Sequence, residues 1–131
     1  MIGDLGAAAD RLRFALEEYP GEPLFISLQG MLHARQNQAG AAMECVRKAL
    51  DFPMSLSHTH HTYHHLACIY AVLGDIEKAM AWLEKSVDTG FPCWPFFQVD
   101  PYLENLRPDL CFQRLIADLQ RQYTALRIQR P

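Results

Sequence analysis

Three stretches of this sequence can be laid on one another, and that repetition limits the fold more than any other feature: Gly3-Asp4 to Tyr19-Pro20, Asn37-Gln38 to Phe52-Pro53, and Gly74-Asp75 to Phe91-Pro92. Each carries small residues seven positions apart, namely Ala8 and Ala15, Ala42 and Ala49, Ala79 and Ser86. Seven residues is about two turns of helix, so both small side chains fall on one stripe where a neighbouring helix can approach closely. Moving from Gly3 to Asn37 takes 34 residues and from Asn37 to Gly74 takes 37, the surplus being absorbed in the linker Met54-Ser55-Leu56-Ser57, which costs little. The second and third copies are each preceded by a partner segment, Pro23 to Gln36 and His58 to Leu73. The pattern predicts an all-α chain of alternating helix, turn and helix. A pair of short amphipathic helices cannot bury its own apolar face, so successive pairs stack and leave a concave side exposed.

The stretch His60 to Pro92 resembles a tetratricopeptide repeat, supplying Tyr63, Leu66, Ala67, Tyr70, Ala79, Leu83 and Pro92 around the turn at Gly74, with the closing proline displaced by one. The earlier copy offers Ile26, Gly30, Ala42, Val46 and Ala49, with Gln29 where Leu is expected and His33 where Tyr is expected. The resemblance implies antiparallel helix-turn-helix repeats forming a right-handed solenoid. It also implies a non-catalytic role, holding a protein or peptide in the concave groove. The expected organisation is a single unit over 1–131: a half repeat at 4–19, repeats at 23–53 and 60–92, and short helices plus a capping helix at 93–131.

The two ends depart from the repeat. The first copy starts at the turn in the middle of a repeat, so its helix lacks a partner and would expose Leu5, Ala8, Ala9 and Leu12. Such a face suggests that the chain is the tail of a longer array, or that it self-associates as a homodimer, or that the alanine-rich surface is simply tolerated. After Pro92, Asp100-Pro101 and Asp109 read as helix starts, with aspartate capping free N–H groups. The last helix should carry an apolar stripe of Phe112, Leu115, Ile116, Leu119, Tyr123 and Leu126. The aromatic cluster Phe91, Trp94, Phe96 and Phe97 reads as core. The block from His60 to Arg107 resembles the closing segment of many bacterial repeat proteins, in which the array comes after a kinase, a cyclase or a winged-helix regulator; Trp94 stands where that group commonly has tyrosine.

Five histidines crowd one helix start: His58, His60, His61, His64 and His65. At 100° per residue, His61, His64, Cys68, Ala71 and Val72 share an arc opposite Tyr63, Leu66, Ala67 and Tyr70, so the first set should line the groove. With Leu24, Ser27, Met31, Ala34 and Arg35 from the earlier copy, the expected peptide-binding surface is apolar and imidazole-rich with one cation, Arg35. That composition argues against the chaperone-tail mode of such modules and favours a peptide with apolar anchors and one acidic group. As a metal site, His61, His64 and Cys68 span too much helix rise for one ion, and the pairs His60 and His64 or His61 and His65 give two ligands where a structural site wants four. Groove lining is therefore the preferred reading, no metal or other cofactor is expected, and a pH-responsive contact is kept as a hypothesis.

Composition removes other classes. The net charge of −3, with basic residues scattered among acidic ones, offers no footprint for a phosphate backbone, so no nucleic acid partner is expected. No apolar run reaches the roughly 20 residues of a membrane span, and no signal peptide pattern opens the chain; a cytoplasmic protein without a membrane partner is the expectation. Cys45, Cys68, Cys93 and Cys111 lack any close pairing and read as reduced, mostly buried thiols. Neither a glycine-rich phosphate loop nor an oxyanion stabiliser accompanies the His64 and Cys68 pair, so no enzyme is expected and Cys68 reads as a groove-lining or semi-buried thiol.

Overall fold

The small-residue stripes and the turns between them organise the structure. A computed structural model of the chain describes residues 5–51 and 59–129. Seven α-helices run as α1 (Leu5–Glu18), α2 (Pro23–Arg35), α3 (Ala39–Asp51), α4 (Thr59–Val72), α5 (Ile76–Asp88), α6 (Trp94–Val99) and α7 (Leu110–Gln129), with a 3-10 helix, Pro101–Leu106, between the last two. No strand occurs among the described residues. The linker at Met54 to Ser57 and His58 lie outside the described residues.

The α2–α3 and α4–α5 turns are built alike. Asn37 (φ 61°) and Gly74 (φ 87°) occupy the left-handed region at matching places. In each, a backbone N–H one residue later reaches back to close the helix end, Gln38 N to His33 O at 2.9 Å and Asp75 N to Tyr70 O at 2.9 Å. Asp75 then caps α5 by accepting from Lys78 N. These turns fold each pair antiparallel and bring the small residues together: Ala42, Ala49, Ala79 and Ser86 are all fully buried. Gly30 allows the closest approach, since a Cβ there would stand 2.7 Å from Ile69 Cδ1 and 3.0 Å from Cys45 Cβ.

Helix α2 packs on α3, α4 on α5, and α4 lies along α2. Helix α1 rests against α2, where Leu12 is buried and Leu16 packs on Ile26, Cys45 and Ala49; Ala8 is exposed and Ala15 partly so. Beyond α5 the chain doubles back, and the 3-10 helix lies along α4. Asp100 caps this helix start as expected, accepting from Tyr102 N at 3.0 Å, but the helix it opens is 3-10 and not α. Asp109 caps α7 by accepting from Cys111 N and Phe112 N. In α7, Phe112, Ile116 and Leu119 are buried and Leu115 half-buried. The expected stripe ends there: Tyr123 and Leu126 are exposed, because the last turns of this 20-residue helix run past the helices it packs on.

Candidate functional site

The residues expected to line one continuous groove divide into two environments. On α2, Leu24 and Arg35 are half-buried and Met31 borders a cleft; on α4, His61 and Val72 are half-buried. The expectation is corrected at Ser27, Met31, Ala34, His64 and Cys68, which are buried. The physical reason for His64 and Cys68 is the segment from Phe91 to Leu106, which crosses the polar face of α4. Phe91, Phe96 and Phe97 surround the His64 ring with centroids 5.3, 5.5 and 5.9 Å away. Leu103 and Leu106 are fully buried, and Asn105 Nδ2 donates to the Ala71 carbonyl at 2.8 Å. Arg107 donates to the carbonyls of Gln98 and Asp100, each at 2.8 Å, and so fixes the bend that presents the Asp100 side chain.

Under this cover three donor atoms meet. His64 Nε2 lies 3.1 Å from Asp100 Oδ2, Cys68 Sγ donates to the same oxygen at 3.8 Å, and Sγ stands 3.6 Å from Nε2. Burial raises the Asp100 pKa, but the hydrogen bonds from His64 and the Tyr102 N–H outweigh it and hold the carboxyl below its ordinary value. Burial, reinforced by that carboxylate, pushes the Cys68 thiol well above the ordinary range. Cys68 is therefore fully enclosed and not semi-exposed, and its thiol is kept neutral. A nucleophile needs thiolate character and access, and a relay uses both ring nitrogens of the histidine; here Nε2 faces both partners and Cys68 has no exposed surface.

The other histidines divide similarly. His65 Nδ1 lies 2.9 Å from Ser27 Oγ, which also donates to the Leu24 carbonyl at 2.9 Å. Desolvation, then the neighbouring His64 and His61, lowers the pKa of His65 to about 3, so it is neutral near pH 7. The His60 and His61 rings pack against each other in a tilted arrangement with centroids 4.2 Å apart, and both lie against Phe91. Among the described residues, the side chains grouped closely enough that they could hold one ion are His64, Cys68 and Asp100; the pairs weighed from the sequence, His60 with His64 and His61 with His65, are not in that group. Asp100, which the sequence marks only as a helix start, is brought by the fold against His64 and Cys68.

On the α2 side the surface stays open. A cleft of about 470 Å³ is lined by Ala8, Arg11, Leu12, Ala15, Phe25, Leu28, Met31, Leu32 and Tyr102. A second, of about 400 Å³, lies on the other flank of the α1–α2 contact beside Leu16 and Gln29. Arg35, expected to be the groove's cation, lays its guanidinium 4.7 Å from the centroid of the Tyr102 ring.

Among comparisons with known proteins, the family model described as tetratricopeptide repeat matches residues 60–89, which cover α4 from its second residue and all of α5. The chain carries a tetratricopeptide repeat. Tyr63, Leu66, Ala67, Tyr70, Gly74, Ala79 and Leu83 of the signature lie in the matched stretch, while Pro92 lies beyond it. In this repeat Leu66, Ala67, Ala79 and Leu83 are fully buried between the paired helices. Searches of curated proteins and of solved structures returned no match. No described helix is long and apolar enough to cross a membrane.

Proposed function

We propose that residues 1–131 act as one non-catalytic protein-binding scaffold and that the ligand is a peptide segment of a partner protein seated between α1 and α2. The observation that carries this reading is the apolar cleft of about 470 Å³ bounded by Leu12, Phe25, Leu28, Met31 and Tyr102. Arg11 belongs to its lining and Arg35 stands beside it on Tyr102, so the favoured peptide has apolar anchors and one acidic group. The tetratricopeptide repeat at 60–89 supports a role in protein interaction generally. Within this reading α4 and the C-terminal segment act as the rigid wall that positions Tyr102.

Selection of random peptides against the full chain tests it. Enriched sequences should share apolar anchors with an acidic residue, and Leu28→Glu should weaken them at least tenfold while Val99→Glu, on the exposed outer edge of α6, leaves them unchanged. Peptides of random composition, or equal binding to both variants, would refute the cleft.

A second reading, self-association through α1, is favoured by Phe14 and Tyr19, which are 68% and 62% exposed on or just after that helix. Sedimentation across the micromolar range should then show a dimer that Phe14→Glu dissociates. A monomer throughout would remove this reading and leave the first intact.

A further inference from the structure

The cluster beneath the C-terminal segment has the composition and spacing of a metal centre. Imidazole, thiol and carboxylate are the three ligand types that Zn²⁺ accepts, and in a tetrahedral site the donors lie about 2.0–2.3 Å from the ion and hence roughly 3.3–3.7 Å from one another. The separations here are 3.1 Å for Nε2 and Oδ2, 3.6 Å for Nε2 and Sγ, and 3.8 Å for Sγ and Oδ2. His64 and Cys68 are one helical turn apart, the spacing at which two side chains of one helix face the same point. Asp100 comes from the far end of the folded-back segment and completes the triangle.

The surroundings hold each donor in place. Asp100 uses Oδ1 to cap the 3-10 helix, which leaves Oδ2 for the shared point. Phe91, Phe96 and Phe97 fix the plane of the His64 ring. Cys68 is fully enclosed and Asp100 only 4% exposed, so a bound ion would be shielded from competing water. Support of this kind around the ligands tunes affinity in metal sites.

We infer that His64, Cys68 and Asp100 form a binding site for a tetrahedral divalent cation of the zinc class, with a water molecule as fourth ligand. Binding replaces the two hydrogen bonds to Oδ2 by three bonds to the ion. The thiol loses its proton to solvent, so one proton is released per ion. The imidazole binds through the Nε2 lone pair and carries its remaining proton on Nδ1. The ion would tie α4 to the segment after α5, and none of its three donors lines the peptide cleft.

The test is titration of the metal-stripped full chain with Zn²⁺ and with Co²⁺ under reducing, chelator-free conditions. Saturation at one equivalent is expected, together with a near-ultraviolet thiolate-to-cobalt charge-transfer band, the visible bands of a tetrahedral site, and a rise in Tm on adding Zn²⁺. Cys68→Ala should abolish the charge-transfer band, and Asp100→Asn should weaken binding by at least the roughly 10–100-fold that loss of even an outer-shell partner costs. The double variant Cys93→Ser and Cys111→Ser should bind as the parent does. The site is overturned if the parent chain, whose folding needs no variant, shows neither the charge-transfer band nor a Tm rise. It is equally overturned if binding is lost in the Cys93 and Cys111 variant, which would place the ion on the exposed thiols.

Discussion

Helices α2 and α4 each open a helix–turn–helix pair with a like turn, yet one keeps an open flank and the other does not. The stretch of α4 from His64 to Ala71 meets Phe97, Asp100, Leu103 and Asn105, whereas Phe25, Leu28 and Met31 of α2 border a cleft. Helices with like positions in their pairs thus differ in exposure, because the segment that follows α5 in the chain folds back over α4 and not over the α1–α2 cleft.

The largest expected effect comes from unsealing α4. Phe97 is fully buried against His64 and Phe91, so Phe97→Ala should cost about 3–5 kcal/mol in urea denaturation, as truncating a buried aromatic ring does. Phe25→Ala, at the edge of the open cleft, should cost markedly less. Equal losses would erase the distinction between the two faces.

Acid should act on the junction between the two helices. The folded-state pKa of His65 is depressed to about 3 from 6.5, so above pH 6.5 both states are neutral and this group exerts no pH dependence. As the pH falls from about 6.5 toward 3, the unfolded chain gains the proton first, and stability drops by as much as about 1.4 kcal/mol per pH unit. Asp100, also held low, adds to the loss only in the carboxylate range. Urea titrations at pH 7, 6, 5 and 4 check the slope, and His65→Gln should flatten the part above pH 5.

How much of this was legible in the sequence depends on how far apart the interacting residues lie. The turn at Gly74, the buried pair Ala79 and Ser86, and the aspartate caps depend on residues within one helix pair, and the repeat displays them directly. The partner of Asp100 does not: His64 lies across the whole of α5, and only a chain that doubles back brings them together. Helical periodicity correctly grouped His64, Cys68 and Ala71 on one face but could not tell a solvent-facing stripe from one covered by a later segment, since both are polar or small. Likewise the link from Ser27 to His65 joins α2 to α4 and leaves no local pattern.

Smaller effects are expected at the α2 contact and at the turns. Gly30→Val should destabilise by about 1–3 kcal/mol, because its side chain would press on Ile69 and Cys45 where α2 meets α4 and α3. At the turns, Gly74→Ala should cost about 1 kcal/mol and Asn37→Gly should be neutral or slightly stabilising, both read from thermal unfolding, since each position has positive φ.

The most direct measurement of the sealed and open faces is native-state thiol labelling of two single-cysteine chains. In one, Cys68 alone remains after Cys45→Ala, Cys93→Ser and Cys111→Ser; in the other, the same background carries Cys68→Ala and Leu28→Cys. With folding verified by circular dichroism, the thiol at position 28, which borders the cleft, should react much faster than Cys68, which reacts only as fast as the chain opens. Rapid labelling of Cys68 in the folded chain, matching that at position 28, would contradict a sealed α4.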